Sequence, residues 1–225
     1  MDGNASDAPE RDALAGVTPG RDTMARAKRV RLMFFDVDGV LTDGRLWYGP
    51  LGEALKSFSA LDGHGMKLAM QAGIAIALLS GRSSPAVTVR AAELGIPHVL
   101  QGIDDKLAAF DLLRTTLGIA ADETGFAGDE LVDLPVLRRC GFACAPREAH
   151  ELVRSHVHYV THAPAGGGAG LAARGRRVGR GYTGADESGG AIRKRAPHGG
   201  RRVGKEARVR ARVVSSESRE SCKSG

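Results

Sequence analysis

Leu32-Met33-Phe34-Phe35-Asp36-Val37-Asp38-Gly39-Val40-Leu41-Thr42-Asp43-Gly44 is the stretch on which the reading of this chain turns. Four consecutive apolar residues give way at once to acids and glycines. A short apolar run without polar alternation is expected of a parallel strand buried on both faces. The acids then fall at the strand's carboxyl end, where open α/β sheets place their sites.

Outward from this stretch the same pattern recurs. Ile74 to Leu79 reads as a second buried strand and delivers Ser80-Gly81-Arg82. Pro97 to Leu100 reads as a third, followed by Asp104-Asp105-Lys106 at the head of a helix running to Leu117. Thr124 to Ala127 delivers Gly128-Asp129-Glu130, with Asp133 one helical turn on. Further strands are expected at Gly141–Ala143 and Val157–Val160. Helices are expected at His64–Gln71, Pro85–Leu94, Leu131–Arg139 and Arg147–Arg154. Alternating units of this length give an α/β fold, a parallel sheet with helices on both faces.

Between the first strand and the first of these helices, Gly44, Gly49-Pro50 and Gly52 punctuate two semi-apolar stretches, which predicts a small β-hairpin flap. Only 43 residues separate Asp36 from Ser80 and 25 separate Ser80 from Lys106. Neither gap holds a full cap domain, so the hairpin at Leu46–Leu55 is the candidate cover. A site without a cap is open to water, and a neighbouring subunit can help to close it. Leu46, Trp47, Tyr48 and Leu51 are then expected between chains.

The residues at the strand ends fit phosphoryl transfer by carboxylates. A phosphomonoester is anionic and repels an anionic nucleophile, so a hard cation with oxygen ligands must bridge them, and magnesium suits that role. Asp36 can attack phosphorus and carry the phosphoryl group. Asp38, two residues on, can protonate the leaving oxygen and later take a proton from water. Ser80 can donate to a phosphate oxygen and Lys106 can offset the growing charge, help worth about 3–4 kcal/mol per preorganised donor in good cases. Asp129 completes a metal shell, and Asp133 behind it can orient it.

The four motifs, Asp36-Val37-Asp38-Gly39-Val40, Ser80, Lys106 and Gly128-Asp129 through Asp133, resemble those of the haloacid dehalogenase superfamily of phosphatases. The resemblance implies a Rossmann-like core and magnesium held by Asp36, Asp129 and the backbone carbonyl of Asp38. Within the superfamily, Phe34 through Gly44, Lys56-Ser57-Phe58, Asp62-Gly63-His64-Gly65-Met66 and Gly81-Arg82-Ser83-Ser84 resemble the 3-deoxy-D-manno-octulosonate 8-phosphate phosphatases. Matching motifs run from about Val30 to Pro164. That family's product feeds lipopolysaccharide synthesis and its enzymes are homotetramers, so the expected partners are a small sugar phosphate and further copies of the chain. Substrate contacts are expected from Arg82 and Lys56, whose cationic donors suit a sugar carboxylate, and from Asp62, Gly63 and His64. Two alternatives stay open: a phosphatase of a sialic-acid-like nine-carbon sugar phosphate, and a non-catalytic phosphate- or RNA-binding protein on the same fold.

Composition sets the boundaries. The chain has 225 residues, 42% of them hydrophobic, and a formal net charge of +6. That charge is unevenly placed: residues 1–170 hold 17 Lys/Arg and 21 Asp/Glu, while residues 171–225 hold 15 and 5. An argument from basicity to nucleic acid therefore concerns the tail alone. The expected organisation is a disordered segment over 1–27, in which Met24 could be the start codon, then a phosphatase domain over 28–165 and a basic low-complexity tail over 166–225.

Two features depart from the family pattern. Glu130 stands where a second Asp is commoner, and its longer arm is expected to point away from the metal. After Gly166-Gly167-Gly168-Ala169-Gly170 the family's C-terminal helix pattern dissolves. Two readings of the tail stay open, a native basic segment that touches RNA or anionic surfaces, and a changed reading frame in a GC-rich gene. Its wealth of Arg, Gly, Ala and Ser leans toward the second.

The chain has three cysteines, Cys140, Cys144 and Cys222, with no disulfide framework. With no apolar run long enough for a membrane span and no visible secretion signal, the expected location is the cytoplasm.

Overall fold

The computed structural model describes residues 21–168. Its centre is a six-stranded, all-parallel sheet made of β1 (Leu32–Phe35), β4 (Ala75–Leu79), β5 (His98–Leu100), β6 (Thr124–Ala127), β7 (Phe142–Ala145) and β8 (Tyr159–Val160). The strand order is β5-β4-β1-β6-β7-β8. The remaining strands, β2 (Trp47–Gly49) and β3 (Gly52–Leu55), form a separate antiparallel hairpin. This is the α/β architecture, with a hairpin and no full cap, that the strand and loop lengths predict.

Side chains of successive strand residues point to opposite faces, and two cores result. Met33, Phe35, Ile76, Leu78, Phe142 and Cys144 pack on one face, beneath α2 (Ala60–Gln71) and α3 (Pro85–Leu94). Leu32, Phe34, Ala77, Leu79, Phe126, Ala143 and Ala145 pack on the other. There they meet residues of α4 (Lys106–Thr116), α5 (Leu134–Arg139) and α6 (Glu151–Arg154). Cys140 and Cys144 are buried free thiols within these cores. Among the described residues no helix is long and apolar enough to cross a membrane.

The N-terminal boundary needs correction. Residues 21–27, expected to belong to a disordered segment, lie in helix α1 (Arg21–Arg29). Asp22 in its first turn and Arg26, Lys28 and Arg29 in its last complement the helix dipole. Arg26 pairs with Asp22 one turn away. The helix is held down by Ala27, which is buried, and by Thr23, whose hydroxyl donates to the His158 carbonyl at 3.1 Å. Its polar composition concealed it, because one small residue supplies the buried face. Met24 sits inside this helix. Residues 1–20, Cys222 and the tail beyond Gly168, with the reading-frame question, lie outside the described residues.

Helix α2 begins four residues earlier than its apolar spacing suggests. The Ser59 hydroxyl caps it, accepting from the amides of Leu61 and Asp62 at 3.1 and 3.4 Å. The helix expected over 131–139 divides into a 3₁₀ turn at Leu131–Asp133 followed by α5. The one expected over 147–154 shortens to α6.

Candidate active site

Chain order reverses beside β1, whose neighbours are β4 and β6. The crevice at such a switch point is where α/β sheets bind ligands. Here the three adjacent strand ends deliver Asp36, Ser80 and Asp129. The cleft between them is lined by Asp36, Asp38, Ser80, Gly81, Arg82, Lys106, Glu130 and Val132.

One wall is a buried charge cluster. Lys106, at the head of α4, reaches Asp36 Oδ1 at 3.1 Å and Asp133 Oδ1 at 2.7 Å. The other oxygen of Asp133 accepts from the backbone amides of Asp129 and Glu130 at 3.0 and 3.2 Å. Asp133 is fully buried, so it acts as a strut that fixes both the lysine and the turn carrying Asp129.

Gly39 makes this closeness feasible. Its φ is +87°, and a Cβ there would overlap the Asp129 carboxylate.

Burial, followed by the neighbouring Asp133 carboxylate, pushes Asp36 up to about 7 against the pull of Lys106. Asp129 is pushed up to about 8 by burial and then by Asp36, Asp133 and Glu130. Burial works against the Lys106 ammonium, but Asp36 and Asp133 outweigh it and hold its pKa above the ordinary value.

Asp36, Asp129 and Asp133 each offer an oxygen within 4.8 Å of the others. Since Asp133 is engaged by Lys106 and two amides, Asp36 and Asp129 are the carboxylates left to hold a cation. Asp129 Oδ1 is buried and has no hydrogen-bond partner. A hard divalent ion with oxygen ligands fits that donor set.

The opposite wall is built from the hairpin side. Lys56, with a side chain only 2% exposed, contacts Asp38 Oδ1 and also lies 3.0 Å from Glu53. The Arg82 Nε approaches Asp38 Oδ2 at 3.6 Å, too long for a hydrogen bond, and both of those atoms are buried without one. Arg82 Nη2 donates to the Tyr48 hydroxyl at 2.8 Å and to Glu53 at 3.3 Å.

The structure thus brings Asp36, Asp38, Ser80, Lys106, Asp129, Asp133, Arg82 and Lys56 together, but not every residue expected at the substrate. Asp62, Gly63 and His64 lie on α2 and do not line this cleft. Asp62 is buried and accepts from the Gly168 amide at 3.2 Å, so it ties down the turn after β8. Gly63 is small because a Cβ would press on Arg90 and Leu94 of α3. His64 is exposed on the helix surface. Glu130, expected to point away, is exposed at the rim but lines the cleft with Val132. Glu53 was not anticipated, and neither was the hydrogen bond it accepts from Ser84, a residue the sequence offered only as part of a motif. Their link crosses from hairpin to helix, and no sequence spacing signals it.

Comparison with known proteins agrees with this geometry. The chain is 42% identical over 148 residues to 3-deoxy-D-manno-octulosonate 8-phosphate phosphatase KdsC of Escherichia coli BL21-DE3, covering 66% of this chain and 79% of that protein. It belongs to the KdsC family of haloacid dehalogenase-like phosphatases. The solved KdsC-type phosphatase of Yersinia pestis superposes with a TM-score of 0.67 at 38% identity, covering 68% of this chain and 83% of that one. That of Moraxella catarrhalis, determined with magnesium, phosphate and a KDO molecule, gives 0.65 at 39% identity, covering 67% and 86%. No family model matches the chain. The KdsC resemblance noted from the motifs therefore holds across the domain.

Proposed function

We propose that this chain hydrolyses 3-deoxy-D-manno-octulosonate 8-phosphate to the free acid sugar and phosphate, in the cytoplasm, as a step toward lipopolysaccharide. The observation that carries the reading is the convergence of Asp36, Asp38, Ser80 and Lys106 on one cleft, in a chain 42% identical to KdsC.

In the first half-reaction a carboxylate oxygen of Asp36 attacks phosphorus. The ester P–O bond breaks and Asp38 protonates the leaving alkoxide, giving an acyl phosphate on Asp36. In the second, Asp38 takes a proton from water as the water oxygen bonds to phosphorus, and the bond to Asp36 breaks. The Ser80 hydroxyl and the Lys106 ammonium hold non-bridging phosphate oxygens, and Asp133 keeps that ammonium aimed. Asp36, Asp129 and the Asp38 carbonyl would hold magnesium, which when bound offsets the repulsion between the two anions.

Arg82 presents its exposed edge to the cleft mouth, where the carboxylate end of the sugar acid would arrive. Lys56 is buried on Asp38 and Glu53 and supports this wall from behind. The hairpin leaves Leu46, Trp47, Tyr48, Leu51 and Leu55 exposed, and this face is proposed to meet a neighbouring protomer in a tetramer. A non-catalytic binder is disfavoured, since it would have no use for the intact Asp38 of this family.

The test is kcat/KM for the eight-carbon acid sugar phosphate and for a nine-carbon, sialic-acid-like analogue, each with and without magnesium. Preference for the eight-carbon substrate, lost on chelation, is expected. Equal turnover of both, or full activity in chelator, would overturn the reading.

A further inference from the structure

Glu53 has no place in the chemistry described so far, yet it is the most connected residue of the hairpin. Its carboxylate accepts from the Ser84 hydroxyl at 2.5 Å, lies 3.0 Å from the Lys56 ammonium and accepts from Arg82 at 3.3 Å. Tyr48, directly across the hairpin from it, accepts from the same Arg82 nitrogen. Cross-strand partners share a face, so this face of the hairpin forms a socket for one guanidinium. The anchor is firm at its far end too. Ser84 is buried at the start of α3, and its hydroxyl makes no cap bond there. Burial opposes charge on Glu53, but the bonds from Ser84, Lys56 and Arg82 outweigh it and hold the carboxyl below its usual range.

Without this carboxylate, Lys56 and Arg82 would face each other across Asp38 with one anion between two cations. The guanidinium would also keep only Tyr48 as a hydrogen-bond acceptor. We propose that Glu53 is a positioning residue for substrate selectivity, holding Arg82 against the hairpin so that its exposed edge meets the substrate's carboxylate. The proposal rests on the phosphatase reading above and adds to it the residue that sets the geometry of the selective contact.

The experiment compares Glu53→Ala and the isosteric Glu53→Gln with the parent chain on two substrates, the acid sugar phosphate and p-nitrophenyl phosphate, which has no carboxylate. The parent chain is measured first, and if it shows no preference for the acid sugar phosphate the substrate assignment fails, independently of Glu53. Given that preference, Glu53→Ala is expected to raise KM for the acid sugar phosphate about 10- to 100-fold, the scale of one charge-assisted contact. The ratio of kcat/KM between the two substrates should fall by at least about tenfold. Glu53→Gln keeps an acceptor for Arg82 and should fall between Ala and the parent. Circular dichroism melts verify that each variant is folded. A fall of both substrates by the same factor, or an unchanged selectivity ratio in folded protein, would overturn the proposal.

Discussion

On one wall of the cleft, Asp36, Asp129, Asp133 and Lys106 grow directly from strand ends and from the helix heads beside them. On the other, Asp38, Lys56, Glu53 and Arg82 meet across a two-stranded hairpin and the loop before α3. The first wall is buried and carries three carboxylates against one ammonium, an excess of negative charge. The second has two cations for two carboxylates, and Arg82 is 40% exposed. The difference separates the tasks. Unbalanced carboxylate charge sits at the sheet ends, and balanced charge sits where the hairpin meets the loops after β1 and before α3. On the proposed mechanism, the nucleophile and the metal ligands stand on the sheet, the substrate contact Arg82 stands against the hairpin, and Asp38 serves between them.

Replacing Asp36 by Asn tests the sheet wall most severely. Turnover should fall on the order of 10⁵-fold, as for other covalent nucleophiles, while the melting temperature holds or rises, because a desolvated carboxylate is gone. Residual activity near the parent level in steady-state assays would remove the covalent mechanism. Asp38→Asn probes the point where the two walls meet. A loss of about 10²- to 10⁴-fold in kcat is expected for a missing general acid, with little change in KM.

Lys106→Met asks whether the cluster depends on its one cation. Leaving Asp36 and Asp133 buried without it should cost about 3–5 kcal/mol in chemical denaturation, and added magnesium should restore part of that.

The gentlest test is pH. Asp36 at about 7 and Asp129 at about 8 both stand above the carboxylate value of 3.8. In metal-free protein their contribution to stability is therefore full below about pH 4 and is lost as pH rises through 7 to 8. Magnesium favours the ionised forms, so its gain in melting temperature should be larger at pH 8 than at pH 5.5. A gain independent of pH would place the ion elsewhere.

The sheet wall was readable from sequence because its groups follow the ends of apolar strands, at once for Asp36 and Ser80 and after one glycine for Asp129, and a buried strand fixes where its end delivers them. Asp36, Ser80 and Asp129 needed only that rule. The flap wall was half readable. Arg82 and Lys56 are cations near motifs, but their partner Glu53 depends on the register of a short hairpin, which composition does not set. Asp62 and His64 lie outside the cleft for a related reason. They adjoin the motifs in sequence, yet the Ser59 cap starts α2 early enough to wind Asp62 into the helix and aim it at the turn after β8, while His64, already expected in the helix, lies exposed on its surface. Helix α1 was missed because an Arg-rich segment with a single buried alanine offers too few apolar residues to announce the face it buries.

The contact between Asp62 and Gly168 spans 106 positions, and a second tie joins the Gly166 amide to the Val40 carbonyl at 3.1 Å. The second braces the loop behind Asp38 from the far end of the domain, and the first fixes the same turn to α2. During synthesis, which proceeds from the N-terminus, the ribosome makes Asp36 and Asp38 early but releases residues 166–168 only after every strand of the sheet. The loop after Asp38 therefore gains this support only when the domain is finished, so a nascent fragment carries Asp36 and Asp38 without it.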